Sequence, residues 1–207
     1  MVNQVTGANF EVFCNEFRVK GQQIQDSCLA KAGTVSSDEI AAEYRQKMKE
    51  LKQTSFDVLP AEWRDLANKQ NKTPEDFAKL DKMYKDAFKN LGESYVKHAD
   101  TKYGTQKDNK LSLNEYLKSE GEVADPAEAT NEFSILDLDG DKHVDGKEIA
   151  ALLCIFDMDV DNGNTNGRLK YNDIYVNQIR LTSDPNSNIG NQMKNALKSA
   201  YNFLFGN

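Results

Sequence analysis

Apolar residues recur at three- and four-residue spacing along most of the chain, the period of helices with one buried face. Phe10, Phe13, Phe17, Ile24, Cys28 and Leu29 mark a first helix that Gly21 is placed to interrupt and Gly33 to stop. Ser36-Ser37-Asp38-Glu39 reads as a capping box opening a second helix through Ile40, Tyr44, Met48 and Leu51. Phe56 to Leu59 read as a connector, and Pro60 opens a short helix with Trp63 and Leu66. Thr73-Pro74-Glu75-Asp76 combines an N-cap threonine, proline at the first helical position and acids at the positive end of the dipole. It predicts a long helix to about Ala99, with Phe77, Leu80, Tyr84, Phe88, Leu91 and Tyr95 on its core face. Further helices follow at 116–119, from Pro126 to Leu136, from Ile149 to Phe156 and from Ile189 to Ala200, with 121–125 as a linker. Ile174 to Leu181 fits a helix or an extended segment, and Ser183-Asp184-Pro185 ends it. Phe203, Leu204 and Phe205 favour docking on the core over an exposed anchor. The fold class is all-α.

Composition changes this picture in a few places. A chain of 207 residues has enough length to bury a core. The net charge of −7 argues against nucleic acid as a partner. No apolar run reaches the roughly 20 residues of a membrane span. Cys14 and Cys28 fall about four turns apart on one helix and Cys154 sits in an apolar run, so no disulfide framework is expected. The first nine residues show no basic head followed by an apolar core, so no signal peptide is visible. The default expectation is a cytoplasmic chain, although a processed exported chain with an added methionine would read the same.

The acids are concentrated. Between Asp137 and Asp173 nine acids face four bases. A solvated acidic loop is the plain reading, but their alternate spacing favours neutralisation by cations. In Asp137-Leu138-Asp139-Gly140-Asp141-Lys142-His143-Val144-Asp145-Gly146-Lys147-Glu148, Asp137, Asp139 and Asp141 can converge on one point. The backbone carbonyl of His143 adds an oxygen and Glu148 swings back with two more, a set suited to a hard cation. The His143 ring has no second His or Cys at metal spacing and is expected to face solvent.

This stretch, with Val144 at its eighth place and apolar helical flanks, resembles the calcium loop of the EF-hand family. One departure is Lys142 at the sixth place, where the family turns at glycine; a side chain there costs roughly 1–2 kcal/mol. The resemblance extends to two further loops. Counting back from Glu115 as the twelfth place of a loop at 100–115 puts Leu111 eighth, the Lys110 carbonyl seventh and Asp108 fifth. Asp100 then comes first across an insertion of about four residues. The resemblance implies that this loop and 137–148 form a pair in which Leu111 and Val144 face each other in a short antiparallel bridge.

Only eight residues separate Glu148 from Asp157, so one helix must leave one loop and enter the next. That third loop has two registers. A strict reading starts at Asn162 and ends at Asp173 with a single carboxylate. The favoured reading starts at Asp157 and Asp159, inserts about five residues and rejoins at Asn166, with the Arg168 carbonyl seventh and Asp173 twelfth.

The resemblance therefore implies calcium binding by an EF-hand unit in residues 73–207, with residues 1–72 an N-terminal helical region, or one continuous domain. Only Met83 and Met158 lie near the loops, which favours a structural or buffering role over a sensor. No GxSxG, HExxH, Walker loop or Cys-x-x-Cys is present, so the chain is not read as an enzyme. The alternatives are a partner-binding protein braced by calcium, using its N-terminal helices or C-terminal apolar residues, and a magnesium-dependent enzyme.

Overall fold

A computed structural model of the chain describes residues 5–120, 125–158 and 165–206. Residues 121–124 of the expected 121–125 linker, and the loop residues 159–164, Asp159 among them, lie outside the described residues. The architecture is all-α. In order it runs α1 (Gly7–Leu29), α2 (Ser37–Leu51), β1 (Ser55–Asp57), α3 (Ala61–Asn68), α4 (Pro74–Tyr103), β2 (Lys110–Ser112) and α5 (Leu113–Glu120). It continues with α6 (Pro126–Leu136), β3 (His143–Asp145), α7 (Gly146–Phe156), β4 (Arg168–Lys170), α8 (Tyr171–Leu181) and α9 (Asn188–Phe205).

The helix starts follow local chemistry. Ser36 and Thr73 each close a capping box with Glu39 and Asp76. Asp145 and Glu148 close a third at the head of α7. Three expectations need correction. α1 runs unbroken through Gly21. α4 continues to Tyr103, so Asp100 stands in its last turn rather than beyond it. Leu29 and Phe77, predicted on core faces, are 61% and 60% exposed, Leu29 at the last residue of α1 and Phe77 in the first turn of α4.

α4 and α7 form the centre. Every residue of α7 from Glu148 to Phe156 is buried, which explains why this stretch reads as continuously apolar rather than amphipathic. Phe88 and Leu91 of α4 are fully buried in the same core. The two helices meet where neither carries a side chain: a Cβ on Gly92 would lie 2.3 Å from the Gly146 carbonyl oxygen, and one on Gly146 would lie 2.7 Å from Glu93 Cα. α9 packs on α7 with Leu197 and Leu204 buried, whereas Phe203 stays 45% exposed.

The N-terminal residues join this core. Phe10 is buried against Phe56 and Tyr95. Glu11 of α1 accepts hydrogen bonds from Lys102 Nζ (2.7 Å) and the Tyr103 hydroxyl (3.0 Å), and pairs with His98 Nε2 (2.6 Å). Burial works against this carboxylate, but those partners outweigh it and hold Glu11 below the usual glutamate range.

Two antiparallel ribbons complete the fold. β2 pairs with β3, with Leu111 opposite Val144. β1 pairs with β4, with Phe56 opposite Leu169. The presumed connector at Phe56 is thus a strand.

Substitution at two helical glycines should separate. Gly21→Ala, with open space around its Cβ, should stabilise the chain by about 0.5–1 kcal/mol. Gly92→Ala should cost about 2 kcal/mol by forcing α4 from α7. Urea unfolding of both variants measures the difference.

Candidate metal centre

Three loops share one wiring scheme. Each has a leading acid at the C-terminal end of a helix, a left-handed residue, a three-residue strand, and a closing acid in the first turn of the next helix. The left-handed residues are Asn109 (φ 60°), Lys142 (φ 68°) and Gly167 (φ 71°). Each precedes its closing acid, Glu115, Glu148 or Asp173, by six positions. The leading acids are Asp100, Asp137 and Asp157. A helix C-terminus is the unfavourable end for an anion. Each of these carboxylates therefore needs compensation nearby.

In the loop at 137–148, Asp137 accepts from the N–H groups of Gly140 (2.8 Å) and Lys142 (3.1 Å). Asp139 accepts from Asp141 N–H (3.0 Å), and Asp141 from His143 N–H (2.8 Å). These bonds curl the chain so that one carboxylate oxygen from each of Asp137, Asp139 and Asp141 lies within 4.8 Å of the others. The His143 ring contacts the Asp141 carbonyl at 3.0 Å through Nδ1. Glu148 turns back on the loop and accepts from Leu138 N–H (2.6 Å) and Asp145 N–H (2.9 Å). Burial at 4% exposure pushes its carboxyl up to about 7 despite those donors, and the neighbouring Asp145 and Asp139 charges add to the effect. The Lys110 ammonium, from the neighbouring loop, sits on the second Asp141 oxygen as an internal counter-ion.

In the loop at 100–115, Asp100 Oδ2 accepts from Asn109 N–H (2.8 Å) and Asp108 accepts from Lys110 N–H (3.0 Å). Glu115 accepts from Thr105 N–H (3.1 Å), Ser112 N–H (2.9 Å) and the Ser112 hydroxyl (2.8 Å). Burial raises Glu115, but these three donors prevail and hold it below the usual range. Gly104 lies between the two acids: a Cβ there would stand 2.2 Å from Asp100 Oδ1 and 3.1 Å from Glu115 Oε1. Asp100 is 2% exposed, and its Oδ1 has no hydrogen-bond partner. A buried carboxylate oxygen left without a donor is an uncompensated group that a cation could satisfy.

In the third loop, Asp157 Oδ1 accepts from Arg168 N–H (2.9 Å), which Asn166 Oδ1 also accepts (3.0 Å). The bond from Asp157 across the insertion fits the register that begins at Asp157. Asp157 Oδ2 accepts from the Tyr84 hydroxyl of α4 (2.8 Å). Burial raises the Asp157 carboxyl, and the same burial, with the Asp157 charge beside it, raises the Tyr84 phenol. Asp173 is buried at the head of α8. The Arg168 side chain turns away to Asp57 (3.0 Å).

No family model, curated protein or solved structure matches the chain. Two features escaped the sequence reading. Tyr84 carries a helical-face signature, and nothing in its spacing marks the hydroxyl that holds Asp157. β1 shows no alternating acids of the kind that mark the 137–148 loop; its signal is an apolar residue, Phe56, between Ser55 and Asp57.

Glu148 gives the metal-free chain a pH dependence. Its carboxyl rises from an ordinary 4.5 to about 7, so the folded chain holds more protons than the unfolded chain between those values. Stability should therefore fall as pH rises through that window, by up to about 3 kcal/mol. Glu148→Gln should flatten the profile, as measured by urea unfolding at several pH values in chelator.

Proposed function

We propose that the chain binds calcium through EF-hand loops and uses the ion as a structural brace or buffer. The observation that carries this reading is the repeated loop wiring, with a convergent acid trio at Asp137, Asp139 and Asp141 and an orphaned buried oxygen on Asp100. All the donor atoms are oxygens, which suits a hard cation. The ligands would be Asp137, Asp139, Asp141, the His143 carbonyl and Glu148 in the best-formed loop. Asp100, Asp108, the Lys110 carbonyl and Glu115 would serve in the second. Asp157, Asn166, the Arg168 carbonyl and Asp173 would serve in the third, together with the sequence candidate Asp159. Both oxygens of Glu148 already face the loop backbone, so bidentate closure needs little movement.

Bringing these acids together without a cation is unfavourable, so ion binding adds directly to folding free energy. The structural role is favoured by the buried α7 between two loops, since its shared ends leave little room for one loop to open alone.

Calorimetric titration with calcium should show saturable binding, and Glu148→Gln should remove one site; unchanged stoichiometry would refute the role of Glu148. Lys110→Gln should strengthen the 137–148 loop roughly threefold, because its ammonium competes for Asp141. Binding of an apolar dye should stay flat on adding calcium. A large rise would overturn the structural role in favour of a sensor.

A further inference from the structure

Beside the third loop, α3, α4, α7, α8 and α9 line an open cleft of about 670 Å³, with Met158 and Thr165 at its edge. Its wall includes Trp63, Leu80, Ile155, Met193, Ala200 and Phe203. The volume falls within the ~300–1,000 Å³ typical of small-molecule sites. Four of the polar groups that reach the wall are spent elsewhere. The Tyr84 hydroxyl donates to Asp157, Trp63 Nε1 to the Leu80 carbonyl (3.1 Å), and the Ser199 hydroxyl to the Asn195 carbonyl (3.0 Å). Asn177 Nδ2 donates to the Asp173 carbonyl (2.9 Å). The interior thus offers apolar surface and few free donors, which selects a ligand body that asks for none.

The rim is asymmetric in charge. Asp81 is neutralised by Lys85 at 3.0 Å. Arg180 is exposed, and its guanidinium meets only the Asn177 side-chain oxygen at 3.4 Å among the described residues. Among the described residues, Arg180 is a cation without an acid at the mouth of an apolar cleft.

We propose that this cavity binds a long-chain carboxylate, with the alkyl chain among Leu80, Ile155, Met193 and Phe203 and the carboxylate at Arg180. This site borders the third loop through Tyr84, Met158 and Thr165, but it uses none of the proposed calcium ligands. Trp63 is the only tryptophan in the chain, so its emission reports occupancy directly.

The test is titration of the full chain with sodium dodecanoate, below its aggregation concentration and in chelator, which also prevents calcium soaps. A saturable one-to-one change in Trp63 emission is expected. Decanoate should bind about 15-fold more weakly, from two fewer buried methylenes. Arg180→Met should weaken dodecanoate about fivefold and leave 1-dodecanol unaffected. Ala200→Phe should abolish both, with the helical circular dichroism spectrum retained. The absence of a saturable response would overturn the proposal. So would affinity independent of chain length, equal effects of Arg180→Met on acid and alcohol, or a dimer seen by light scattering that dodecanoate fails to dissociate.

Discussion

The close crossing of α4 and α7 at Gly92 and Gly146 governs the rest of the molecule. It sets the two helices at near backbone contact, and both helices end in loop acids. α4 delivers Asp100 in its last turn and Tyr84 along its length. α7 begins beside Glu148 and ends at Asp157. Three loops are therefore held by two helices in contact, and a displacement at the crossing would reach all of them. A dense interior transmits such a shift rather than absorbing it.

Within that frame, electrostatics distinguishes loops that look alike in outline. Asp100, Asp137 and Asp157 all stand at helix C-termini, where the dipole opposes them. The compensation differs. Asp137 receives two backbone donors and has Lys110 nearby on Asp141. Asp157 receives a backbone donor and the Tyr84 phenol. Asp100 keeps one oxygen with no donor at all. The closing glutamates differ as well: hydrogen bonds prevail over burial at Glu115, and burial prevails at Glu148. The proposed calcium role would resolve these separate imbalances with one kind of ion. The Tyr84 bond also ties the third loop to the wall of the apolar cavity, so the two proposed sites share a side chain without sharing ligands.

The N-terminal region supplies the partner that the third loop lacks in sequence. β1 closes on β4 with Phe56 against Leu169, as β2 closes on β3 with Leu111 against Val144. In each ribbon the central pair is apolar and sits between polar neighbours. The pairing thus depends on one packed contact per ribbon and a few backbone hydrogen bonds, which explains how a strand from outside the acidic loops can serve.

Much of this was legible in the chain. Local rules set the helix starts at Ser36 and Thr73, because a cap is satisfied within four residues of itself. Alternate acids from Asp137 to Asp141 signalled convergence, because a tight turn has few ways to arrange them. The pairing of Leu111 with Val144 is what the resemblance of the two loops implied, and the structure shows that pair. The tertiary structure alone decided what depends on distant partners. Phe56 became a strand because Leu169 lies opposite it, and Leu29 and Phe77 stayed exposed because no neighbour reaches them. Tyr84 gained a polar task because α4 passes Asp157. Spacing along a chain carries information about neighbours within a turn or a loop; contacts across some seventy residues or more exist only once the helices have packed.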